Sequence, residues 1–572
     1  MATPISPGVY TKIIDLSTYL QTIPGTIGFI PFFSRKGPDN VVQFVSSQQQ
    51  QANLYGNPNY YDYGKAWGQG AYIAWNNVTV SPAVYELRVL PTDATYSNLF
   101  VLYNNDTTGT FFVDHVANQQ NFTEITTTLA TLDVPTSYPF MVFYPIGRGD
   151  YYDDYAITIA RSPNTFAGSS TSGTPATPAS AIYTVNIWLT QASGQDAIVE
   201  SYDVSFDEQA VDSSGESIFI EDVINRYSTN MRVLVNRNSL NEWQSDDDTE
   251  VIVGDSITPQ HLFHGSEGSL VTVDPNTGKR TINTAGPEGA TAIMYNAYSG
   301  LLINPMTGSL VDQVHDTDSY YFPLVWDGGY PSDVKQAIYS LVHDVRMDGV
   351  AIMDNEDNLT VDASLTSRTT DQNYNTYFCS LFEPFSRVYD NFTGKDQWFT
   401  PVYHMSSMIP LNDKLYNIWF PSAGFNRGTL SNIKELRFSP NLSDRDRMYL
   451  AQLNPIVRFS IGDTVWGNLT TQKRPSALQN LSTIRTVLYV QRALQQFLQY
   501  FVFEFNTVST WKQMADAITP FLDTVRQAGG LESYSIDIGA TDYEKKRKIC
   551  HVNINLVPTG VIEQIQLNLF IQ

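Results

Sequence analysis

Two histidines and a glutamate lie close together in the segment "TPQHLFHGSEG". His261 and His264 are three residues apart, and Glu267 follows them. Imidazole and carboxylate groups are common zinc ligands, so this spacing raises the question of a metal site. A zinc site needs ligands held at fixed positions, whereas this polar segment is typical of a loop. We therefore expect an ordinary polar loop and no metal ligands here.

The segment "DPNTGKR" is the nearest approach to a phosphate-binding loop. That motif requires Gly at the position of Val273 and Ser or Thr at the position of Arg280, and the chain has neither. The chain also lacks the Gly-x-Ser-x-Gly turn that would indicate a hydrolase serine. We therefore predict no catalytic residues and no bound cofactor.

Three acidic clusters, at 149–155, 245–250 and 354–362, are candidates for calcium binding. The third comes closest to an EF-hand loop, but Leu359 stands where that loop requires Gly for its sharp turn. We interpret all three clusters as solvated acidic loops. A carboxylate pair for glycoside hydrolysis has no sequence signature, because its spacing exists only in the folded protein.

The net charge argues against nucleic acid as a partner. The 572 residues carry a formal charge of −24 at pH 7, and phosphate contacts require clustered Lys and Arg. The dense basic run "KKRK" at 545–548 is short and lies in an acidic chain. We interpret it as a solvated loop or a contact with an acidic neighbour.

The cysteine content and the distribution of apolar residues indicate in which cellular compartment the protein is expected. Two cysteines, Cys379 and Cys550, exclude a disulfide scaffold and fit a reducing compartment. The opening "MATPISPGVY" has no signal-peptide pattern, and no apolar run approaches the length of a membrane span. We expect neither secretion nor membrane insertion.

The predicted secondary structure that positions the candidate residues changes from one part of the chain to the next. An α/β pattern opens it, with a helix over 60–77 between strands at 26–38 and 83–91. Short Thr-rich β segments follow. They include strands at 155–160 and 183–189 on either side of a low-complexity loop (166–180), and a hairpin at 269–284. Next come a helix capped near Ser332 or Asp333 and a buried strand at 350–353.

Helical periodicity is clearest towards the C-terminus. Residues 482–504 predict one helix, and a second runs from Ser509 to a stop at Gly529-Gly530. The apolar stripe of the first helix comprises Ile484, Val487, Leu488, Leu494, Phe497, Leu498 and Phe501. Strands are predicted at 533–538, 549–556 and 565–571.

The last strand raises a question of pairing. Ile565, Leu567, Leu569 and Ile571 alternate on one face, with polar residues and Phe570 on the other. A half-apolar strand with nothing after it to pair with is an aggregation hazard if left bare. From these residues alone, an intramolecular hairpin is the simplest partner.

The fold class predicted is α+β multidomain. The N- and C-terminal thirds build a discontinuous α/β inner body, a largely β outer region is inserted between them, and both termini are extended arms. Tandem independent domains remain the alternative. The predicted parts are an N-terminal arm (1–25), the first part of the inner body (26–95), the inserted outer domains (96–364), the second part of the inner body (365–545), and a C-terminal sheet strand with the terminal strand (546–572).

Several motifs, in order, resemble the contractile tail sheath proteins of myovirus-type, T-even-like bacteriophages. The resemblance is weakest over 96–140 and 240–325, and Asn468 and Leu469 depart from the small or basic residues expected there. The motifs that carry it are "SPGVYTKIIDLS" (6–17), "PGTIGFIPFFSRKGP" (24–38), "FPSAGFNRG" (420–428), "LNPIVRFSIGDTVWGNLTTQ" (453–472) and "VNINLVPTGVIEQIQLNLF" (552–570).

The resemblance implies a structural subunit without an active site. Such subunits stack as hexameric rings around a tail tube in a metastable extended state, and contraction drives the tube through the host envelope during genome ejection. It implies as partners further copies of the chain, the tube protein, and the baseplate and terminator or neck proteins. It implies location in the virion tail after assembly in the host cytoplasm. It also implies that a C-terminal helix, either of the two predicted, contacts the tube.

The resemblance also assigns roles to the terminal strands, which join a sheet of neighbouring subunits. Strand exchange is expected at Val9, Tyr10, Thr11, Lys12, Ile13, Ile14, Ile549, Val552, Ile554, Leu556, Ile565, Leu567, Leu569 and Ile571. Arm hinges are expected at Pro7, Gly8, Pro24, Gly25, Pro558 and Gly560. Two alternatives stay open at this point: the sheath of a bacterial contractile injection system, and a tail-associated wall-degrading hydrolase.

Overall fold

The computed structural model describes residues 26–104, 111–114, 137–162, 182–190, 195–237, 260–261, 265–273, 280–282, 289–303, 313–563 and 566. Its strands, numbered in chain order, are β1 (Gly28–Phe32), β2 (Val42–Val45), β3 (Val84–Arg88), β4 (Leu99–Asn104), β5 (Phe111–Asp114), β6 (Ser137–Pro145), β7 (Tyr155–Arg161), β8 (Ile182–Thr190), β9 (Asp196–Ser205), β10 (Met231–Val235), β11 (Gln260–His261), β12 (Val271–Val273), β13 (Arg280–Ile282), β14 (Leu324–Trp326), β15 (Val350–Asp354), β16 (Cys379–Glu383), β17 (Ser386–Asp390), β18 (Lys395–Phe399), β19 (Glu435–Leu436), β20 (Leu453–Phe459), β21 (Gly462–Val465), β22 (Leu531–Gly539) and β23 (His551–Pro558).

The helices contain both helices that the C-terminal periodicity predicts. They are α1 (Gln48–Tyr55), α2 (Tyr60–Trp67), α3 (Gly70–Val78), α4 (Ile220–Tyr227), α5 (Gly289–Leu302), α6 (Ser332–Ser340), α7 (Val361–Thr370), α8 (Pro401–Leu415), α9 (Gly424–Arg427), α10 (Leu442–Leu450), α11 (Leu481–Leu498), α12 (Val508–Gln527) and α13 (Asp542–Lys546).

An eight-stranded sheet in the order β2-β3-β1-β14-β15-β16-β20-β21 forms the centre of the largest core. Its inner pairs are parallel, and β2 and β21 pair antiparallel at the two edges. Strands β1, β14, β15 and β16 are buried throughout, as expected for parallel strands covered on both faces. At Gly28 the neighbouring strand comes too close for a side chain, because an added Cβ would lie 1.9 Å from Trp326 Nε1.

The order of the strands along the chain matches the mixed fold class. Strands β4 to β13 follow β3, pair outside the large sheet in smaller antiparallel sheets, and include the predicted strands β7 and β8 and the hairpin β12–β13. The chain returns to the large sheet at β14 and β15. These two strands lie before residue 364, where the sequence places the end of the inserted region.

Buried arginines join the first part of the large sheet to the segment after β6. Arg88 donates to the carbonyl oxygens of Ser34 at 2.7 Å and Arg148 at 2.9 Å. Arg148 in turn forms an ion pair with Asp39, Nη2 to Oδ2 at 2.7 Å. Because both guanidinium groups are buried and bonded to the backbone, this junction is rigid.

Two predicted helix boundaries are wrong for local reasons, and a third helix begins where predicted but without the predicted cap. The single helix predicted over 60–77 is two, α2 and α3, with Gly64 at φ +68° inside α2. Helix α6 is preceded by Pro331, and neither Ser332 nor Asp333 caps it. Helix α11 ends at Leu498 rather than near residue 504, and Phe503 adopts φ +75°, which no α-helix contains.

Among the described residues, two smaller cores accompany the large one, besides a small cluster of Tyr60, Tyr72, Val388 and Phe399. One lies between the antiparallel sheets that contain β6 and β8. The other lies where α11 and α12 pack against β22 and β23. In the described part of the chain, no helix is long and apolar enough to cross a membrane.

Candidate functional site

The described residues do not form a metal site around His261. His261 lies in β11, opposite Ala156 of β7, and not in the loop that the sequence predicts. His264, the segment 274–279 and the acidic cluster 245–250 lie outside the described residues. Among the described residues, no group of three His, Cys, Asp or Glu side chains is placed to hold a metal ion.

The acidic cluster 354–362 is not a solvated loop, and this prediction is wrong for its first half. Asp354 ends β15 and Asn355 follows it at the carboxyl edge of the large sheet, and both are fully buried. Lys335 of α6 is buried with them and contacts Asp354 Oδ1 at 3.2 Å and Asp327 Oδ2 at 3.0 Å. The cluster 149–155 also differs from the prediction, because it forms a 3₁₀-helix with Tyr152 buried.

The Lys335 network links the sheet to helix α8. Thr400, the N-cap residue of α8, donates its hydroxyl to Asp354 Oδ2 at 2.7 Å. Its backbone N–H donates to Gln69 Oε1 at 2.7 Å. Burial raises the pKa of Asp327 to about 7, although the Lys335 ammonium opposes this shift. The network is closed to solvent at these side chains, so its geometry supports a structural role.

A second buried carboxyl, Glu383 at the end of β16, faces the same edge. It accepts hydrogen bonds from the side-chain amides of Asn355 and Asn358, each at 2.9 Å, and from the hydroxyl of Ser364. Burial raises the pKa of Glu383 to about 8, against the lowering effect of these donors. Its proton is therefore held more tightly in the folded protein than in the unfolded chain.

We predict that Glu383 makes stability fall as pH rises. Its pKa is raised on folding, so the contribution is complete below about pH 4, the pKa of the unfolded chain, and is lost as pH approaches about 8. The slope from this group is at most about 1.4 kcal/mol per pH unit. Urea unfolding of the wild type and Glu383→Gln across this range measures it, and equal slopes would contradict the assignment.

The C-terminal region presents an incomplete sheet. Strands β22 and β23 pair antiparallel and form a two-stranded sheet in the described part of the chain. Along β23 burial alternates, so Val552, Ile554 and Leu556 pack towards α11 and α12 while the intervening residues are exposed. The edge of each strand that faces away from the other is open among the described residues. Such an edge is a template for an added strand.

The predicted strand-exchange residues fall into two groups. Val552, Ile554 and Leu556 lie together on the apolar face of β23, Ile549 precedes the strand, Pro558 ends it, and Gly560 follows it. The remaining residues lie outside the described part of the chain: Val9, Tyr10, Thr11, Lys12, Ile13, Ile14, Ile565, Leu567, Leu569 and Ile571, with the hinges Pro7, Gly8, Pro24 and Gly25. The basic run at 545–548 spans the end of α13 and the turn before β23.

The motifs at 420–428 and 453–472 form one aromatic surface. The rings of Phe425 and Trp466 lie 5.0 Å apart, and Phe459 contacts both. Beside them, Tyr449 donates its hydroxyl to Glu563 at 2.6 Å, which raises the pKa of Tyr449 to about 12. The chain beyond β23 is thus held against this surface.

Asn468 and Leu469, which differ from the small or basic residues that the resemblance leads us to expect, make structural contacts. The Asn468 side chain donates to Ser482 Oγ at 2.9 Å and accepts from the Ser482 N–H at 3.2 Å. Leu469 is buried, and its N–H donates to Asn454 Oδ1 at 2.7 Å. These contacts fix the start of α11 against the large sheet.

Sequence reasoning missed an exposed apolar segment between α11 and α12. Its most exposed side chains are Tyr500, Val502, Phe503, Phe505 and Val508. The run "YFVFEF" places Phe501, Phe503 and Phe505 two residues apart, a spacing that does not fit one face of an α-helix. That spacing was the signal that could have found this segment.

Comparison of folds gives the class of protein. The structure superposes on the sheath tail protein from Listeria innocua with a TM-score of 0.54 and 8% identity, over 95% of this chain and 93% of that one. It superposes on the sheath tail protein from Desulfitobacterium hafniense with a TM-score of 0.50 and 9% identity, over 97% and 98%. The fold is therefore that of sheath tail proteins.

Sequence comparison points to particular relatives. The chain is 23% identical to the tail sheath protein of Vibrio phage KVP40 over 165 residues, 29% of this chain and 25% of the relative. It is 21% identical to that of Enterobacteria phage T4 over 231 residues, 37% and 35%. The chain thus spans about a third or less of the curated relatives it matches, and no protein-family model matches it. The resemblance to tail sheath proteins of T-even-like phages is confirmed.

Proposed function

We propose that this protein is the structural subunit of a contractile phage tail sheath. Its copies stack as hexameric rings around the tail tube in a metastable extended state. On contraction they rearrange to drive the tube through the host envelope and eject the genome. The observation that carries the proposal is the two-stranded sheet β22–β23, which has an apolar face already packed on helices and open edges for further strands.

The arms supply the strands that complete this sheet. Residues 9–14 and 565–571 of neighbouring copies add to the β22–β23 sheet by β-augmentation. Each added strand contributes roughly five backbone hydrogen bonds at about 1 kcal/mol net apiece, besides its buried apolar face. Linkers next to Pro7-Gly8, Pro24-Gly25 and Pro558–Gly560 bend while the paired strands stay joined.

The inner body moves as a unit during contraction. Residues 26–95 and the chain from β14 onward contribute to it, and the topology of the eight-stranded sheet supports this arrangement. Residues from 96 to about 320 form the inserted outer domains, and the buried Arg88–Asp39–Arg148 junction makes their attachment stiff. Rigid bodies on flexible tethers permit two packings without unfolding.

The proposal needs no enzyme activity, cofactor or nucleotide, because the free energy of contraction is stored when the extended sheath assembles. The partners are further copies of the chain, the tube protein, and the baseplate and terminator or neck proteins. The protein functions in the virion tail after assembly in the host cytoplasm. Its helices α11 and α12, which flank the open sheet, are the elements available to contact the tube.

Negative-stain electron microscopy of the purified chain at rising concentration tests the proposal. We expect hollow tubes of stacked rings once the concentration exceeds a threshold. If only single particles form, the same experiment is repeated with purified tail tubes as a template. Failure to polymerise on that template as well would overturn the proposal.

A further inference from the structure

A pocket lies on the aromatic surface, between α9, the end of α10 and the linker that follows β23. Its volume is about 350 Å³. The side chains that line it include Phe425, Arg427, Tyr449, Trp466, Ile562 and Glu563. Parts of the chain that are distant in the sequence therefore meet at this pocket.

The surface around the pocket exposes apolar side chains at one edge of the large sheet. Phe425 is 48% exposed, and Trp466, just after the edge strand β21, is 38% exposed. Tyr449 and Ile461, which lies in the turn between β20 and β21, are exposed as well. The ring of Phe459 joins those of Phe425 and Trp466 into one patch. A contiguous apolar patch that a folded chain leaves in water marks an interaction surface.

Arg427 adds a positive charge to the pocket. Its guanidinium lies over the rings of Tyr416 and Phe420, and its Nε donates to the carbonyl oxygen of Pro421 at 3.1 Å. No ion pair joins it to a carboxylate among the residues that the structure describes. A guanidinium binds a carboxylate through two parallel hydrogen bonds. The pocket therefore offers a site for an acidic side chain.

The residue types at this pocket fit a protein partner. Energetic hot spots of protein interfaces are enriched in Trp, Tyr and Arg, which gather in pockets that exclude water on binding. Trp466, Tyr449 and Arg427 supply these three types here. The matching partner presents an apolar side chain that fills the pocket and a carboxylate that pairs with the guanidinium.

The route of the chain indicates which protein this partner is. Tyr449 holds the Glu563 side chain through a hydrogen bond of 2.6 Å. The strand predicted to be exchanged begins at residue 565, and two residues of chain span at most about 7 Å. A paired strand lies about 4.8 Å from its neighbour in the sheet. The copy that takes this strand must therefore come up to the aromatic surface.

We propose that the aromatic surface binds the folded body of a second copy, the one that takes the C-terminal strand, and that a carboxylate of that copy pairs with Arg427. The inference rests on the proposed sheath function and adds to it a contact between folded bodies. A chain with a net charge of −24 offers many such carboxylates. Strand exchange joins two copies through a linker, whereas this contact fixes how their bodies are oriented.

Photo-cross-linking of assembled full-length protein tests the partner. p-Benzoylphenylalanine replaces Asn426, an exposed residue next to Phe425, and the tubes are irradiated. We expect covalent dimers and longer ladders, with cross-linked peptides from the folded body (26–563) of a second copy. The same amino acid in place of Phe44 on β2, at the opposite edge of the eight-stranded sheet, is the control and should give no ladder.

Three outcomes would overturn the inference while the sheath function stands. They are tubes without any cross-link from position 426, cross-links only to residues 564–572 of another copy, and cross-links only to the tube protein in sheaths grown on a tube template. If the full-length chain forms no tubes even on that template, the sheath function itself fails, and the inference fails with it.

A matched pair of exposed phenylalanines tests the contribution of the surface to assembly. Phe425→Ser should raise the protein concentration needed for polymerisation about tenfold or more, because it removes a side chain that is buried on docking. Phe44→Ser changes a residue that is 51% exposed and should leave this concentration unchanged. Circular dichroism establishes that both variants are folded. Equal threshold concentrations for the two variants would overturn the inference.

The salt dependence of assembly tests the role of Arg427. Arg427→Gln removes the charge and keeps an amide that can donate to the Pro421 carbonyl. We expect a higher threshold concentration than for the wild type at low salt, and the ratio of the two thresholds should shrink as salt is added, because salt screens an ion pair. Arg427→Lys keeps the charge and should show a smaller loss. A ratio that stays constant with salt would overturn the pairing of Arg427 with a carboxylate.

Discussion

Deletion of residues 565–572 should leave a folded monomer that no longer forms long tubes. The described residues of all three cores lie before this segment, so the folded body keeps its stabilising contacts. Assembly, in contrast, loses a whole exchanged strand. Five backbone hydrogen bonds at about 1 kcal/mol net apiece correspond to a change of more than about 10³-fold in the concentration needed for polymerisation.

The measurement is electron microscopy combined with sedimentation of the truncated protein over a wide concentration range. Circular dichroism and urea unfolding establish that the monomer is folded. Normal tubes from the truncated protein would exclude strand exchange by this segment.

A matched pair of full-length variants distinguishes the effect of the apolar face from the effect of shortening the chain. Leu567→Asp with Leu569→Asp places charges on the face that would lie over the helices, and we expect loss of assembly comparable to the deletion. Gln566→Ser with Asn568→Ser changes the opposite face, and assembly should persist. Because both variants keep the backbone intact, equal behaviour would show that the face has no influence on pairing.

The spacing of apolar residues predicted the elements whose buried face is determined by residues close together in the sequence. The strand at 350–353, the strands on either side of 166–180, and the hairpin at 269–284 are confirmed. The two C-terminal helices are confirmed as well, apart from the early end of α11. In each of these segments, the spacing of apolar side chains and the turn residues point to the same structure.

The buried polar network was beyond sequence reasoning. Asp327, Asp354 and Glu383 lie at the ends of three neighbouring parallel strands. Long chain segments separate these strands, so the spacing of the three residues in the sequence does not predict that they meet. Read locally, 354–362 is a polar loop. It is buried because parallel pairing brings the three strand ends to one edge of the sheet, where Lys335 and Thr400 complete the contacts.

The exposed apolar loop at 499–508 was missed because its apolar residues were expected to be buried. The helical period of the apolar residues, which includes Phe501, favoured continuing α11, because such a period predicts a face that is buried within one chain. Phe503 and Phe505 remain exposed in the monomer. Under the strand exchange that we propose, such residues would be covered in the assembly, so rules based on a single chain misplace them.

Lys335→Met should cause a large loss of stability, because Lys335 of α6 pairs with two buried carboxyls at the edge of the large sheet. The substitution keeps the length of the side chain but removes the cation that contacts Asp327 at 3.0 Å and Asp354 at 3.2 Å. Two buried carboxyls then lie side by side without a counter-charge. Breaking a buried ion pair by removing one partner costs about 3–5 kcal/mol.

Urea unfolding followed by circular dichroism measures the loss. The control is Lys65→Met, because Lys65 pairs with Asp357 from a partly exposed position and its removal should cost less than about 1 kcal/mol. Adding Asp327→Asn to Lys335→Met should recover part of the lost stability, since it replaces one of the two buried carboxyls that have lost their counter-ion by a neutral amide. A Lys335→Met protein as stable as the Lys65→Met control would show that the network contributes little to the stability of the large sheet.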